Sequence, residues 1–487
     1  MKVLAFDFGA SSGRAILGVF ENGTLKTEEI HRFSNDPVMV NGIFYWDILR
    51  LFFEIKQGIT KCVAAGHGDI SSIAIDTWGV DFGLLDKDGR LLENPVNYRD
   101  SRTDGIPEKV FEKFPAKDIY SKTGIQFMKF NTIFQLYYLA SERPDLLERA
   151  ETFLFIPDLL AYFLTGVKSC EYTIASTSQL LDAEKRDWDF EIMEKLGIKT
   201  SIFPNIVKPG SVKGKLSPEL CDELGVKDVD IIACASHDTA SAVVSAPIKK
   251  DENSCYISCG TWSLLGAEIE EPILTEESLQ MNFTNEGGYD NTIRYLKNIS
   301  GLWLMQETRR QWIREGENIS FKDIDKMLEA EVSANVYINP EIDDFVAPGN
   351  MPRRINEFLK STGQDVPKTK GQTALCILES LALTYKYYIT SLEKVLGVTF
   401  DAVHLIGGGV RDENLCRFTA SATGKTVTAG PIEATALGNI AVQLIAKGAI
   451  SDMSEARTML GELKYYEPEN TAEWDKKYEE YLKLCRS

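Results

Sequence analysis

Apolar and polar positions along the chain change period at places that outline its elements. Val3 to Phe8 is a short apolar run that predicts a strand, and after a turn of small residues Ala15-Ile16-Leu17-Gly18-Val19-Phe20 predicts its return. Glu21-Asn22-Gly23-Thr24 then carries the Asn-Gly signal of a hairpin before Leu25. A strand, a turn and a returning strand differ from a Rossmann opening, in which the turn leads into a helix. From Asp47 to Cys62 the residues Ile48, Leu51, Phe52, Ile55 and Ile59 recur at helical spacing, and Gly66-His67-Gly68 closes the segment. Ile70 to Asp76 predicts a second buried strand.

Further along, helices are expected from Asn131 to Ser141 and from Pro157 to Leu164, and Pro204 to Ser217, rich in Pro, Gly and Lys, reads as a surface connection. From Asn253 the opening pattern repeats: strand Cys255–Ser258, turn Cys259–Ser263, returning strand Leu264–Ile269. That repeat suggests an internal duplication with a domain border near Ser245 to Glu252. A long helix is expected over Gln372–Leu396, with Leu375, Leu378, Leu381, Ala382, Tyr385 and Ile389 on one face and Gly397 as its stop. Strand Ala402–Ile406, the triplet Gly407-Gly408-Gly409, a helix opening near Asp412, strand Thr426–Ala429 and a small-residue helix Glu433–Lys447 follow. The acidic, aromatic tail Thr471–Leu484 predicts a last helix.

Composition narrows the class. At 487 residues, 44% hydrophobic and 26% charged, the chain is globular and long enough for two or three domains. A net charge of −19 argues against a nucleic-acid or anionic-membrane partner, each of which needs a clustered basic face. The nine cysteines form no CxxC and only four histidines accompany them, so no zinc spacing exists, and scattered thiols in odd number suit a reducing cytosol. Cys255 and Cys259 would face one side of their strand as small buried residues. The opening apolar run ends at Asp7, too short for a signal peptide, and no stretch approaches a membrane span. A soluble cytoplasmic protein is expected.

Chemistry concentrates around Asp238. It follows the apolar residues Val229, Ile231, Ile232 and Ala233 and precedes Thr239-Ala240-Ser241-Ala242, which suit the opening of a helix. That puts a carboxylate at the carboxyl end of a strand, where α/β sheets present groups to ligands. Alone, an acid at such a junction is more often a helix N-cap. Two turns rich in Gly, Ser and Thr change the weight: Asp7-Phe8-Gly9-Ala10-Ser11-Ser12-Gly13-Arg14 and Ser258-Cys259-Gly260-Thr261-Trp262-Ser263. The amides and hydroxyls of Ala10, Ser11, Ser12, Gly13, Gly260 and Thr261 can follow phosphate oxygens. Asp7 can hold a hydrated magnesium ion, and Arg14 can bring charge toward a transferring group. An ordinary hairpin with a solvated arginine is the alternative for either turn taken singly. An acid with two such turns predicts a base next to a nucleotide, and so phosphoryl transfer.

Ile75-Asp76-Thr77-Trp78-Gly79-Val80-Asp81-Phe82 alternates polar groups with Trp78 and Gly79, which suits a sugar as well as it suits a core indole and a turn. Asp100-Ser101-Arg102 reads as a solvated loop. Gly408 and Gly409, in a triplet richer than a strand-to-helix turn requires, would let a base or ribose approach the backbone. His237 is a sugar-hydroxyl partner by virtue of its neighbour.

On these residues the chain resembles the FGGY carbohydrate kinases over nearly its whole length. Besides the segments above, the likeness runs through Tyr98-Arg99-Asp100-Ser101-Arg102-Thr103, Thr284-Asn285-Glu286-Gly287-Gly288, Leu296-Lys297-Asn298-Ile299, Gly301-Leu302-Trp303-Leu304 and Gly430-Pro431-Ile432-Glu433-Ala434. Ala10 departs from the family, which usually has a hydroxyl residue there. The resemblance implies an α/β fold of two actin-like (ribonuclease H-like) ATPase domains around a central cleft. Residues 1–245 would bind sugar and 246–487 ATP, with the last helices able to pack back on the first domain. It implies Asp238 as general base, Gly79, His237, Asp238, Thr239 and Asn298 as sugar contacts, and Ala10 to Arg14, Thr261, Gln306 and Gly409 as ATP contacts, with Mg2+ bridging phosphates. The implied reaction is phosphorylation of a ketose, L-rhamnulose at O1, in L-rhamnose catabolism, with L-fuculose or L-xylulose as alternatives. An actin-like ATPase without a sugar would keep both phosphate turns but would not need the Asp76–Gly79 cluster. A sugar-sensing repressor would need a basic helix-turn-helix, and this chain starts directly in a strand.

Overall fold

The computed structural model describes residues 1–249, 252–346, 348–459 and 461–485; Lys250 and Asp251, within the stretch expected to hold a domain border, lie outside the described residues. The chain forms two compact units. One comprises Met1–Ser245, Glu268–Tyr295 and Ala434–Leu460, the other Ala246–Ala267, Leu296–Glu433 and Gly461–Ser487.

In the first unit six strands lie in the order Val212–Lys215, Asp230–Ile232, Ser72–Thr77, Lys2–Phe8, Ser12–Glu21, Thr24–Ser34. Lys2–Phe8 is antiparallel to Ser12–Glu21 and parallel to Ser72–Thr77, which is in turn parallel to Asp230–Ile232. The period of two along the opening strand explains why it is buried on both faces. Leu4, Phe6 and Phe8 join the core with Ile48, Leu51, Ile55 and Ile59 of the helix Ile48–Ala64, whose N-cap Asp47 accepts from the Arg50 N–H. Val3 and Ala5 join a second core with Ala74, Ile232, Ala240, Val244, Ala436 and Ile440. That second face is lined by small residues because two helices, Asp238–Val244 and Ala434–Ala446, pack there.

The two helices meet at Gly438. A β-carbon there would lie 1.7 Å from the Ser241 carbonyl oxygen, so only glycine permits the approach. From this position Asn439 and Gln443 reach the sheet: Asn439 donates to Asp76 Oδ2 at 2.6 Å, Gln443 donates to Leu4 O at 3.3 Å, and the Ser72 hydroxyl donates to Gln443 Oε1 at 2.8 Å.

The second unit repeats this layout. Its strands follow one another as Ile293–Ser300, Trp262–Ile269, Ser254–Cys259, Ala402–Ile406, Thr426–Ala429 and Lys464–Tyr466, the chain crossing between units inside the first two. Ser254–Cys259 is antiparallel to its hairpin partner and parallel to Ala402–Ile406, which is parallel to Thr426–Ala429. The long helix spans Lys370–Leu396 and stops at Gly397 in the left-handed conformation, φ +67°. The tail helix Thr471–Cys485 buries Trp474 and Tyr481 against Ala382, Leu383 and Ala422.

One expectation is corrected. The stretch 204–217 is not simply a surface connection: Val212–Lys215 is the edge strand of the first sheet, antiparallel to Asp230–Ile232. Its lysines mask it in the sequence, since lysine is also how edge strands are kept from pairing further. Lys213 is 5% exposed, ion-paired to the buried Asp158 and donating to Ser169 O at 3.0 Å. All nine cysteines are free. Among the described residues no helix is long and apolar enough to cross a membrane.

The helix contact gives a test. Gly438→Ala should cost about 1–3 kcal/mol or more, as overpacking a close contact does, and lower the urea midpoint with m unchanged. An alanine variant as stable as the parent would show that the two helices can separate freely.

Candidate active site

Asp238 stands where three parallel segments end together. Ala233 to His237 continues from Asp230–Ile232, the Thr77 N–H donates to Ser236 O at 2.9 Å, and Thr77 pairs with His237 as an isolated parallel bridge. The helix begins at Asp238 with His237 as its N-cap, and the His237 side chain makes no capping bond. Asp238 is therefore not the cap that a strand-end acid usually is. Its carboxylate, 31% exposed, is held through one oxygen: Oδ1 accepts the Thr239 N–H at 2.5 Å and the Thr239 hydroxyl at 3.1 Å, and His237 Nε2 lies 3.4 Å from it.

Below this turn, Glu171 caps the helix Tyr172–Ser176 through the Thr173 and Ile174 N–H groups and also accepts the Ser236 N–H at 3.0 Å. Burial pushes its carboxyl up to about 7 against these stabilising donors. His237 is nearly buried. Its Nδ1 lies 3.0 Å from Arg294 Nη2 and 3.3 Å from Glu286 Oε2, and Arg294, fully buried, bonds Glu286 at 3.1 Å and Gly287 O at 2.8 Å. Neither Glu286 nor Arg294 was singled out for a role from sequence. In sequence Arg294 shares one face of its strand with Asn298 and Ser300, which reads as a solvated edge and gives no sign of its burial.

On the second-core face of the sheet the odd residues of the opening strand end in Asp7, in register with Asp76 on one side and Arg14 on the other. Arg14 donates to Asp7 Oδ2 from Nε at 3.0 Å and from Nη2 at 2.7 Å, so its charge is engaged by Asp7. Asp76 is buried; Oδ2 takes the Asn439 bond, and Oδ1 has no hydrogen-bond partner. Burial, then the charge of Asp7, then that of Asp238 act to push the Asp76 carboxyl well above the usual range, against the Asn439 bond. No cluster of three or more His, Cys, Asp or Glu with metal-binding spacing occurs among the described residues. Asp7 and Asp76 are the carboxylates in register at this strand end, Asp7 Oδ2 engaged by Arg14 and Asp76 Oδ1 without a partner among the described residues.

The turn Gly9 to Ser12 closes with the Gly9 N–H on Ser12 O at 2.9 Å, and Ser11 and Ser12 are exposed. Gly13 is glycine for a packing reason, since a β-carbon would lie 2.3 Å from the Phe33 ring.

Trp78 to Phe82 forms a bend fixed from several sides. Val80 adopts φ +65°, a left-handed conformation costly for a β-branched residue. It is held by the Thr177 hydroxyl on its N–H at 3.1 Å and the Thr132 hydroxyl on its carbonyl at 2.7 Å. Asp81, buried, accepts the indole N–H of Trp46 at 2.6 Å and of Trp78 at 3.0 Å, the Tyr98 N–H at 3.1 Å and Gln135 Nε2 at 3.1 Å. The Trp78 indole donor is thus committed to the protein, its ring 4.0 Å from that of Trp46. Gly79 is half-buried against Thr177. The stretch at Asp100 to Arg102, expected as a solvated loop, joins this network: Asp100 accepts the Phe44 N–H at 2.7 Å, and Arg102 donates to Gln135 Oε1 at 2.6 Å.

In the second unit the equivalent turn bonds the Gly260 N–H to Trp262 O at 2.8 Å. The Thr261 hydroxyl contacts Gln306 Oε1 at 3.4 Å, and Gly260 O and Thr261 O accept the N–H groups of Leu302 and Gly301. Gly407 needs glycine for its φ of +84°. Gly409 needs it because a β-carbon would lie 2.3 Å from Cys259 Sγ. Only Gly408 of the triplet is exposed, and a β-carbon there meets nothing within 4 Å. Gly260, Thr261, Gln306, Gly408 and Gly409 thus collect around one strand end, as do Asp238, His237, Thr239, Trp78 and Gly79 in the first unit. Asn298, half-buried on Ile293–Ser300, belongs to the second.

The models of the FGGY family of carbohydrate kinases match this chain, the N-terminal domain over residues 2–245 and the C-terminal domain over 255–447. A rhamnulokinase of Oceanobacillus iheyensis is 46% identical over 457 residues, covering 94% of this chain and 96% of that protein. One of Bacteroides thetaiotaomicron is 43% identical, covering 99% of each. Among solved structures, gluconate kinase from Lactobacillus acidophilus superposes with a TM-score of 0.83 at 18% identity, covering all of this chain and 97% of that one. Plasmodium falciparum glycerol kinase with ADP gives 0.81 at 16%, with the same coverage. The fold is the two-domain actin-like α/β fold of these sugar kinases.

The Asp81 hub sets a pH dependence. Burial lifts its carboxyl from 3.8 to about 6. A folded-state value above the unfolded one means stability present below pH 3.8 and lost as pH rises through about 6, a change of about 3 kcal/mol. Asp81→Asn does not titrate, so the difference in unfolding free energy between parent and variant should shift by that amount, against the parent, between about pH 4 and 6. A constant difference across that range would overturn this account.

Proposed function

The chain belongs to the FGGY family of carbohydrate kinases and transfers phosphate from ATP to a sugar, and we propose that the sugar is L-rhamnulose, phosphorylated at O1 with Asp238 as general base. The observation that carries the catalytic half is the one-sided holding of Asp238. Thr239 and His237 surround Oδ1, which leaves Oδ2 to accept the proton of the sugar hydroxyl. As that proton leaves, the hydroxyl oxygen attacks the γ-phosphorus, the bond to the β–γ bridging oxygen breaks, and ADP departs. Phosphoryl transfer of this kind needs positioning and charge neutralisation more than covalent help.

His237, Thr239, Gly79 and Asn298 are the proposed sugar contacts, with Trp78 contributing packing, its N–H being engaged by Asp81. Ala10 to Arg14, with Gly260, Thr261, Gln306, Gly408 and Gly409, are assigned to ATP. Asp7 would hold magnesium through water, and the bound ion would neutralise phosphate charge. The choice of sugar rests on the names of the relatives and on an apolar indole within the motif beside His237, suited to the edge of a deoxy sugar.

Two experiments follow. Asp238→Asn keeps the shape and removes the base, so kcat should fall roughly 10²–10⁴-fold while sugar binding survives; a kcat near the parent's would sink the assignment. A coupled ADP-release assay over L-rhamnulose, L-fuculose, L-xylulose, D-xylulose and glycerol should rank L-rhamnulose first in kcat/KM, with phosphorus NMR of the product locating O1. A methyl-sized difference is worth roughly 10- to 200-fold, so related ketoses should react more weakly but measurably. If D-xylulose or glycerol ranked first, the sugar assignment would fail and the kinase would remain.

A further inference from the structure

We propose that Arg294, fixed by Glu286, is a positioning residue that holds His237 with its ring proton on Nε2, so that the histidine is a dedicated donor beside the Asp238 carboxylate. The proposal rests on the reading of Asp238 as base and His237 as a sugar contact, and deepens it.

The argument is one of donors and acceptors. A guanidinium has five N–H donors and no acceptor. His237 Nδ1 faces both Arg294 Nη2 at 3.0 Å and Glu286 Oε2 at 3.3 Å; the guanidinium is nearer and can only donate, so Nδ1 accepts from it and the single proton of a neutral imidazole sits on Nε2. Nε2 is the nitrogen 3.4 Å from Asp238 Oδ1. The same Nη2 reaches Glu286 Oε2 at 3.1 Å and Nε reaches Gly287 O at 2.8 Å, which fixes the guanidinium plane. Its Nη1 is buried without a hydrogen-bond partner among the described residues.

The backbone of His237 is anchored separately, by its N–H on the Thr173 hydroxyl at 3.2 Å and by the bridge to Thr77. Arg294 therefore governs the ring and not the turn. With Nε2–H fixed, the ring cannot accept a proton there without first losing its own, so His237 does not compete with Asp238 as base. A donor of fixed direction is also what a sugar oxygen next to the reacting hydroxyl would use.

The test reads the ring directly. Nitrogen-15 NMR of imidazole-labelled protein at neutral pH, with the His237 signals identified by their loss in His237→Asn, should show a pyrrole-type Nε2 and a pyridine-type Nδ1. Arg294→Met should mix the two forms and raise KM for the sugar roughly 10- to 100-fold, the loss expected of a charge-assisted contact, with KM for ATP unchanged. Arg294→Lys, which keeps the charge but not the planar fork, should not restore the tautomer. A proton on Nδ1 in the parent, or a spectrum indifferent to residue 294, overturns the proposal whatever the kinetics. If Arg294→Met does not fold, the parent spectrum decides. A correct tautomer together with a His237→Asn variant of unchanged sugar KM would overturn the functional reading of His237, and with it this use of Arg294, while the ring geometry stood.

Discussion

The approach of Gly438 to the Ser241 carbonyl is the contact on which the first unit's chemistry depends. It brings a helix from late in the chain against the helix that begins at Asp238, close enough for Asn439 to donate to Asp76 beneath the sheet. Without that donor Asp76 would be a buried carboxylate with both oxygens unpaired, set against the charges of Asp7 and Asp238, and such a group costs several kcal/mol. A single glycine thus permits the amide that stabilises the floor of the site. Because the helix Ala434–Ala446 follows almost all of the second unit in the chain, the first unit is complete only when that segment has returned to it.

Local order was legible in the sequence and long-range partnership was not. The strands 2–8, 254–259, 402–406 and 426–429 and the helices 48–64, 132–142 and 370–396 fall within a few residues of where periodicity and capping put them. These are elements whose burial pattern repeats inside their own length. The edge strand Val212–Lys215 was hidden because its partner lies beyond a helix and its lysines imitate a loop. Asn439, Glu286 and Arg294 could not be given roles, since each matters through a residue far off in the chain: Asp76 for the first, His237 for the other two.

The placement of the candidate residues at strand ends and turns was legible, and what supports them was not. The strand-end acid and the two turns were visible because small residues after apolar runs leave few alternatives. Trp78 shows the limit. An indole at a strand end reads as a sugar platform, and nothing in the sequence says that its N–H is taken by Asp81, three residues on. The triplet 407–409 is similar: three glycines look like one requirement, yet Gly407 answers to a positive φ, Gly409 to the Cys259 side chain, and Gly408 alone to open space. Glycine has more than one physical cause, and only coordinates separate them.

The two units share strand order and pairing sense, which allows residue-by-residue comparison by register. In the first, Asp7 stands opposite Arg14 on one neighbour and Asp76 on the other. In the second, the position that precedes the turn by the same count is Ser258, opposite Leu264 and Ile406. One framework therefore carries two acids and a base of opposite charge in one copy, and a hydroxyl between two aliphatic side chains in the other. Backbone geometry at a strand-turn-strand junction is common to both and offers amides to phosphate in either. Charge is what differs, and charge is what a phosphoryl group in transfer, a cation and a departing proton require. The second copy is neutral at the same positions, so its turn offers backbone amides without carboxylates beside them. The two copies thus differ in charge at three side chains that share one register.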